Sequence, residues 1–170
     1  EAATCLLAGL VTDTLGFRTT NTTADALAAG IRLIEAGGDL ADLAQRTLND
    51  RPVAILRLWG MALAKMRLEN HVISVAVSRA MRAAAGIPDD DTGELVSQLI
   101  TANEARIAVV FNEVAKREVK VSLRARRPYN VSQVALMLGG GGHPQAAGCL
   151  IQGTLAEAQA RLLPLLAAAA

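Results

Sequence analysis

Hydrophobic residues follow strand-like patterns in four stretches of the second half of the chain. Segment 71–78 (HVISVAVS) is rich in β-branched residues, 105–114 is largely apolar, 118–126 alternates apolar with charged positions, and 146–151 is short and apolar. These patterns predict β-strands. A tight turn at 116–117 joins the second and third strands, so these two are expected to be antiparallel within a mixed sheet.

Most of the remaining segments show patterns typical of helices. Asn21-Thr22-Thr23 and Asp39 are residue types that cap helix N-termini, and Pro52 suits the first turn of a helix. The predicted helices cover 2–11, 23–36, 39–48, 52–67, 79–85, 92–101 and 155–170, with one more that starts at Asn130 or Ser132 and ends at Leu138. We therefore predict an α/β fold in which a C-terminal domain, a mixed β-sheet flanked by helices, follows a helical segment and a connector helix.

Composition narrows the classes of function. The net charge is +1 and aromatic residues make up 2% of the chain. Binding of nucleic acid must then come from a local basic patch, with little ring stacking. Cys5 and Cys149 match no metal-binding spacing and are expected to be reduced thiols in a cytoplasmic protein. No apolar run approaches the roughly 18 residues of a membrane span, so no membrane partner is expected.

The third predicted strand carries the most concentrated positive charge. Residues 116–127 include six basic residues and one acidic residue. Because side chains alternate between the faces of a strand, Lys120, Ser122, Arg124 and Arg126 share one face. A solvated strand face is one interpretation. The serine between cations favours the other, a phosphate-binding face.

A run of four glycines and a histidine stands in "LGGGGHPQAAGC", residues 138–149. One glycine would suffice to end a helix, whereas four permit an anion, a ligand or another strand to approach the backbone closely. We interpret the run as a binding loop, with His143 at its edge as a hydrogen-bond donor, rather than as a flexible linker. A Walker A loop is excluded, since no Gly-Lys-Ser/Thr follows.

Three other polar features are candidate sites. Asp13, at the end of an apolar run in "GLVTDTLGF", is either a metal ligand or part of a helix-ending turn. The acidic triplet 89–91 is interpreted as N-capping of the helix that follows. His71, at the start of a strand, is interpreted as structural.

These motifs together resemble the DHH superfamily of phosphoesterases. "LGGGGHPQAAG" is similar to the GGGHxxAAG signature of the DHH-associated domain, and "VKVSLR" to the strand that precedes it. "AGLVTDTLGFRTTNTT" resembles the last metal-binding motif of the DHH domain. Within the superfamily the chain is most similar to the bifunctional oligoribonucleases that also dephosphorylate 3′-phosphoadenosine 5′-phosphate (PAP).

The resemblance implies a manganese-dependent hydrolase in which hydroxide bound to two metal ions attacks a phosphoester. It implies that Asp13 is one metal ligand and that Ser122 and Arg124 contact the substrate phosphate. The substrate loop would comprise Gly140, Gly141, Gly142 and His143. Arg126 and Arg127 are added as substrate contacts from their charge alone. Ala125 stands where relatives often have serine, which would remove one hydroxyl contact.

The other metal-binding motifs of the family are absent from the sequence. The chain also starts without methionine, as if within a helix, so we expect a fragment that is inactive alone and binds manganese incompletely. The expected domains are a DHH catalytic remnant at 1–50, a connector helix at 51–68 and the substrate-binding domain at 69–170. The surface exposed on 1–50 predicts a homo-oligomer.

The substrate remains open between short RNA, PAP and a cyclic dinucleotide, since cyclic dinucleotide phosphodiesterases share both domains. A non-catalytic RNA-binding module is a different class of function, because a related glycine-rich domain is appended to alanyl-tRNA synthetases. Asp13 and its Asp-Thr-x-x-Phe context argue for the phosphoesterase. The charge alternation of 118–126 argues against a third alternative, an alanine-rich interaction domain with no ligand.

Overall fold

A computed structural model describes residues 1–19, 22–87 and 89–170. Asn21, one of the predicted capping residues, lies outside these ranges. The chain divides into two compact units, Glu1–Arg51 and Pro52–Ala170.

The first unit is helical, as predicted. Its helices are α1 (Ala2–Asp13), α2 (Ala24–Glu35) and α3 (Leu40–Ala44), the last continuing into a π-helical segment, Gln45–Asn49. Thr23 caps α2 by accepting a hydrogen bond from the backbone N–H of Ala26, and Asp39 caps α3. The buried core of this unit is small and consists of Leu7, Val11 and Leu43.

The second unit contains a six-stranded mixed sheet with helices on both faces, which confirms the predicted fold class. The strands are β1 (Arg67–Glu69), β2 (Val72–Val77), β3 (Ile107–Ala115), β4 (Glu118–Ala125), β5 (Gly141–His143) and β6 (Ala146–Gln152). The helices are α4 (Val53–Leu63), α5 (Arg79–Ala85), α6 (Leu95–Leu99), α7 (Ser132–Met137) and α8 (Leu155–Ala169). The strand order is β1-β2-β3-β4-β6-β5. Strands β2 and β3 are parallel, and every other neighbouring pair is antiparallel.

The two faces of the sheet are covered differently. Helices α7 and α8 pack on one face, where alternate residues of β4, such as Val121 and Leu123, are buried. Helices α4, α5 and α6 pack on the opposite face, against residues of β2 and β3 such as Val75 and Val110. On that second face, among the described residues, the packed apolar layer ends at β3 and leaves the same side of β4 and β6 open.

Three predicted elements differ from the structure. The connector helix ends at Leu63 rather than 67, and Arg67–Glu69 instead form the edge strand β1. The glycine loop is not entirely a loop, since Gly141–His143 form strand β5. The helix predicted over 92–101 is only Leu95–Leu99, and no side chain caps it. In the first two cases pairing with the next strand along the chain overrode the local pattern, and in the third case local turn geometry did.

The acidic triplet therefore does not cap α6, contrary to the prediction. Asp89 and Asp91 accept hydrogen bonds from backbone N–H groups two residues ahead, which shapes the turns that precede the helix. His71 accords with its structural interpretation, since its Nδ1 lies 3.2 Å from the carbonyl oxygen of Glu104.

Candidate functional site

The open side of β4 carries the polar residues that the alternation predicted. Lys120 is exposed, Ser122 and Arg124 are half-buried, and the intervening Val119, Val121 and Leu123 are buried on the opposite face. Strand geometry causes this separation, because successive side chains point to opposite faces.

Sheet register brings the glycine segment to the same face. Ser122 pairs with Gly148 of β6, which pairs in turn with Gly141 of β5. Arg124 pairs with Ala146, which pairs with His143. Directly paired residues share a face. Arg124 and His143 therefore lie two strands apart on one face, about 10 Å between their Cα atoms, with small residues between them.

We call this surface the open face and define it by Lys120, Ser122, Arg124, Gly141, Gly148 and His143. Its centre consists of the backbone of Gly141 and Gly148 and the methyl group of Ala146. Its margin carries two cations, a hydroxyl and an imidazole. Such a surface can take a phosphate group close to the strands while charged donors reach it from the edges. Leu150, half exposed beside Lys120, adds an apolar contact.

The four consecutive glycines serve different purposes. Gly139 has φ +77° and ends α7, and the N–H groups of Gly139 and Gly140 bond the carbonyls of Leu136 and Ala135. A Cβ on Gly140 would lie 2.1 Å from the carbonyl oxygen of Gly148, and a Cβ on Gly142 would lie 2.5 Å from that of Ala146. Glycine is therefore needed at 140 and 142 because the backbone of β6 passes too close to leave room for a side chain.

Gly141 is different. A Cβ on it would meet no described atom within 4 Å, and its φ lies outside the left-handed region. Nothing in the described fold requires glycine there. Gly141 belongs to the open face, so the space above that part of the face is free of described protein atoms.

Both cations of the open face have carboxylate partners. Lys120 Nζ lies 3.1 Å from Asp90 Oδ2, and Arg124 Nη2 lies 3.1 Å from Glu94 Oε2. The hydrogen bond from Lys120 is the main reason that the pKa of Asp90 lies below its usual range. A cavity of about 260 Å³ beside these pairs is lined by Asn112, Ser122 and the acidic residues.

Arg126, predicted on the same face, is engaged elsewhere. Its guanidinium donates to the carbonyl oxygens of Ile100, Thr101 and Ala102, which follow the last residue of α6. That contact is typical of a cation at a helix C-terminus. Ala125 is buried in the core on the opposite face, so a serine there would not add a hydroxyl to the open face.

Asp13 is the last residue of α1 and is exposed. It lines a surface groove with Cys5, Leu10 and Arg32, all in the first unit. No group of three or more histidine, cysteine, aspartate or glutamate side chains that could hold a metal ion occurs within residues 1–19, 22–87 and 89–170. A single carboxylate does not make a metal site. The described residues therefore do not fit the two-metal centre that the resemblance implied.

Sequence reasoning missed the partners of the cations. Asp90 and Glu94 each lie 30 residues before the cation that they pair with, and only the fold brings them together. One feature of the sequence could have indicated these ion pairs. Residues 89–94 include four acidic residues, and their charge is complementary to the cations on one face of β4.

Comparison with known proteins gives the family. The DHHA1 domain model matches residues 69–169. The bifunctional oligoribonuclease and PAP phosphatase NrnA of Thermus thermophilus is 37% identical over 96% of this chain and 49% of its own length. The probable NrnA of Streptococcus mutans is 27% identical over 87% of this chain and 47% of its own length.

A solved structure has the same fold. The exopolyphosphatase-related protein from Bacteroides fragilis superposes with a TM-score of 0.89 at 22% identity, over 98% of this chain and 49% of that one. The chain spans about half the length of the curated relatives that it matches. Since the DHHA1 model matches more than half of the chain, and the glycine and histidine signature lies within the match, the chain belongs to the DHHA1 domain family.

Proposed function

We propose that this chain is the substrate-binding part of a DHH-family phosphoesterase that acts on short oligoribonucleotides or PAP. One observation carries the proposal: Ser122, Arg124, Gly141 and His143 share one open face of the sheet. The activities for which the NrnA relatives are named support the substrate class, because oligoribonucleotides and PAP both present phosphate groups to such a face.

Each residue of the open face has a distinct task in this proposal. Arg124 presents a planar guanidinium that bonds a phosphate through two parallel N–H groups, while the Ser122 hydroxyl donates to a third oxygen. His143 donates from the opposite edge, to a phosphate or a ribose hydroxyl. Gly141 leaves room for the phosphate to approach the backbone.

The reaction of the whole protein would be phosphoester hydrolysis, in which water adds to phosphorus and a P–O bond breaks. The described residues do not form a metal centre. We propose that manganese binding depends on ligands other than the described residues. On this proposal Asp13 contributes one ligand at most, and the isolated chain hydrolyses neither substrate.

The decisive experiment is an NMR titration of the 170-residue chain with a 5′-phosphorylated diribonucleotide, without metal. Saturable shifts are expected at Ser122, at Gly141 and at His143. Arg124→Ala should weaken binding about tenfold, the loss expected for a charge-assisted hydrogen bond.

Arg161→Ala is the matched control for this titration. It removes one exposed arginine from α8, which packs on the opposite face of the sheet, so binding should be unchanged. Equal affinities for the parent chain and Arg124→Ala, or no shifts at millimolar ligand, would contradict the proposal.

A non-catalytic RNA-binding module is the second candidate. The observation that favours it is that the open face, proposed here to bind phosphate, lies in a chain whose described residues include no cluster of metal-ligating side chains. Titration with PAP separates the alternatives, since a phosphoesterase subsite should bind PAP as well as RNA. A cyclic dinucleotide as the preferred ligand would instead favour the phosphodiesterase subgroup.

The cellular compartment and the oligomeric state are also proposals. No helix in the described part of the chain is long and apolar enough to cross a membrane. Both cysteines are free thiols, which supports a reducing compartment, and we propose the cytoplasm. We further propose that the chain self-associates, because α2 exposes Leu27, Ile31 and Ile34 at helical spacing along one side.

A further inference from the structure

One loop neutralises both cations of the open face. We call residues 89–94 the acidic loop. Its Asp90 pairs with Lys120 and its Glu94 pairs with Arg124, each at 3.1 Å between nitrogen and oxygen. These are the two side chains best suited to attract a phosphate to this face.

Buried residues hold the acidic loop in this place. Asn112, on β3, donates from Nδ2 to the backbone carbonyl oxygen of Asp90 at 2.7 Å. The buried guanidinium of Arg82 donates in turn to Asn112 Oδ1 and, at 2.7 Å, to the carbonyl oxygen of Glu113. Hydrogen bonds to charged, buried groups are among the stronger ones. The backbone of the loop is thus fixed beside β4.

The carboxylates themselves are held more loosely. The side chains of Asp90 and Glu94 are 49% and 64% exposed, and those of Lys120 and Arg124 are 56% and 31% exposed. Ion pairs as exposed as these contribute little and are screened by salt. An anion that arrives at the open face can therefore replace them while the backbone anchor stays in place.

We propose that the acidic loop is an internal competitor of the substrate: the carboxylates of Asp90 and Glu94 occupy Lys120 and Arg124 until a phosphate group displaces them. This inference rests on the proposed function of the open face. The loop then limits affinity. It lets Lys120 and Arg124 remain paired when no ligand is bound, which suits a protein that must release its product.

Neutral, isosteric variants test the competition. In Asp90→Asn and Glu94→Gln the side chain keeps its shape, and the anchor to the Asp90 carbonyl oxygen is a backbone contact that the change does not remove. Each variant should bind the 5′-phosphorylated diribonucleotide about two- to fivefold more tightly than the parent chain, which is the range that an exposed ion pair contributes. Calorimetric or NMR titration measures the dissociation constants.

Asp89→Asn is the matched control. It removes one negative charge from the same loop, but Asp89 takes part in no ion pair with the described cations. It should change affinity by less than either test variant. Tighter binding in both test variants than in this control supports the competition, whereas equal affinity in all four proteins overturns it and leaves the proposed function standing. Binding in none of them overturns both.

Discussion

At the scale of single residues, the glycine run shows that identical residues can be required for unrelated reasons. Gly140 and Gly142 permit strands to approach each other, and Gly139 supplies a left-handed helix end. Only Gly141 is free of these constraints in the described fold. Because Gly141 lies at the centre of a polar face, the proposed binding of a phosphate there gives its missing side chain a purpose.

This contrast yields a paired prediction. Gly141→Ala should fold normally but bind the diribonucleotide about tenfold more weakly, because the new methyl group occupies the space of the phosphate. Gly140→Ala should instead destabilise the fold by about 1–3 kcal/mol, since backbone atoms must move to admit its Cβ. Urea unfolding and ligand titration of both variants measure the two effects. A Gly141→Ala chain with unchanged affinity would count against the binding role.

The face shared by Lys120, Ser122 and Arg124 could be predicted from the sequence because side-chain alternation is local. The register that adds His143 to it could not be predicted. It depends on β6 lying between β4 and β5, which is a property of strand order and not of any single segment.

At the scale of secondary-structure elements, a local sequence signal correctly indicates where α8 begins. Thr154 Oγ1 accepts from the backbone N–H of Glu157, and the Glu157 carboxylate accepts from the backbone N–H of Thr154 at 2.7 Å, a complete capping box. The backbone N–H of Thr154 and, at 3.1 Å, its hydroxyl both donate to the Glu157 carboxylate, and these two bonds are the main reason that the pKa of Glu157 lies below its usual range. Threonine is a residue type that caps helix N-termini, so position 154 marks the start of the helix predicted over 155–170.

Loss of this cap should be measurable. Thr154→Ala is expected to lower the free energy of unfolding by about 1 kcal/mol, and Thr154→Ser to preserve it. Because folding lowers the pKa of Glu157, its ionised form stabilises the native state above the unfolded-state pKa. That contribution fades as the pH falls through the lower folded value.

The pH dependence gives a second readout of the same cap. Thr154→Ala should lose slightly less stability on acidification than the parent chain. It removes the hydroxyl bond to the Glu157 carboxylate but keeps the backbone N–H bond, which is the larger cause of the lowered pKa. Urea unfolding at neutral and acidic pH tests this. An identical loss in both proteins would show that the Thr154 hydroxyl does not contribute to the lowered pKa.

Strand β5 shows a local signal that fails. Its sequence, Gly-Gly-His, has no β-propensity, so the pattern indicated a loop. Pairing with β6 makes it a strand, and only glycines at 140 and 142 allow that pairing to form. Strand β5 therefore forms only because it pairs with β6.

At the scale of the whole molecule, the hydrophobic clusters follow the two units. Both large clusters lie within 52–170, and the small cluster of Leu7, Val11 and Leu43 lies within 1–51. Residues 52–170 made as a separate chain should therefore fold and bind the diribonucleotide with unchanged affinity. They should also be monomeric, since the exposed side of α2 is removed.

Sedimentation and NMR of the two chains provide the measurement. The 170-residue chain should sediment as an oligomer, and residues 52–170 as a monomer with dispersed amide signals. Collapse of those signals would mean that the first unit stabilises the second. Oligomers of equal size from both chains would exclude α2 as the self-association surface.

The sequence by itself determined the fold class, most helices, the cationic face of β4 and the family, because periodicity, capping residues and a glycine–histidine signature are read over short stretches. Tertiary structure alone decided three things: that Gly141–His143 is a strand, that Arg124 and His143 face the same way, and that Asp90 and Glu94 pair with the cations. The strand at Gly141–His143 depends on its pairing with β6, and the common face of Arg124 and His143 depends on strand order and register. The ion pairs join residues 30 positions apart, between which Coulomb attraction acts only once the chain has folded.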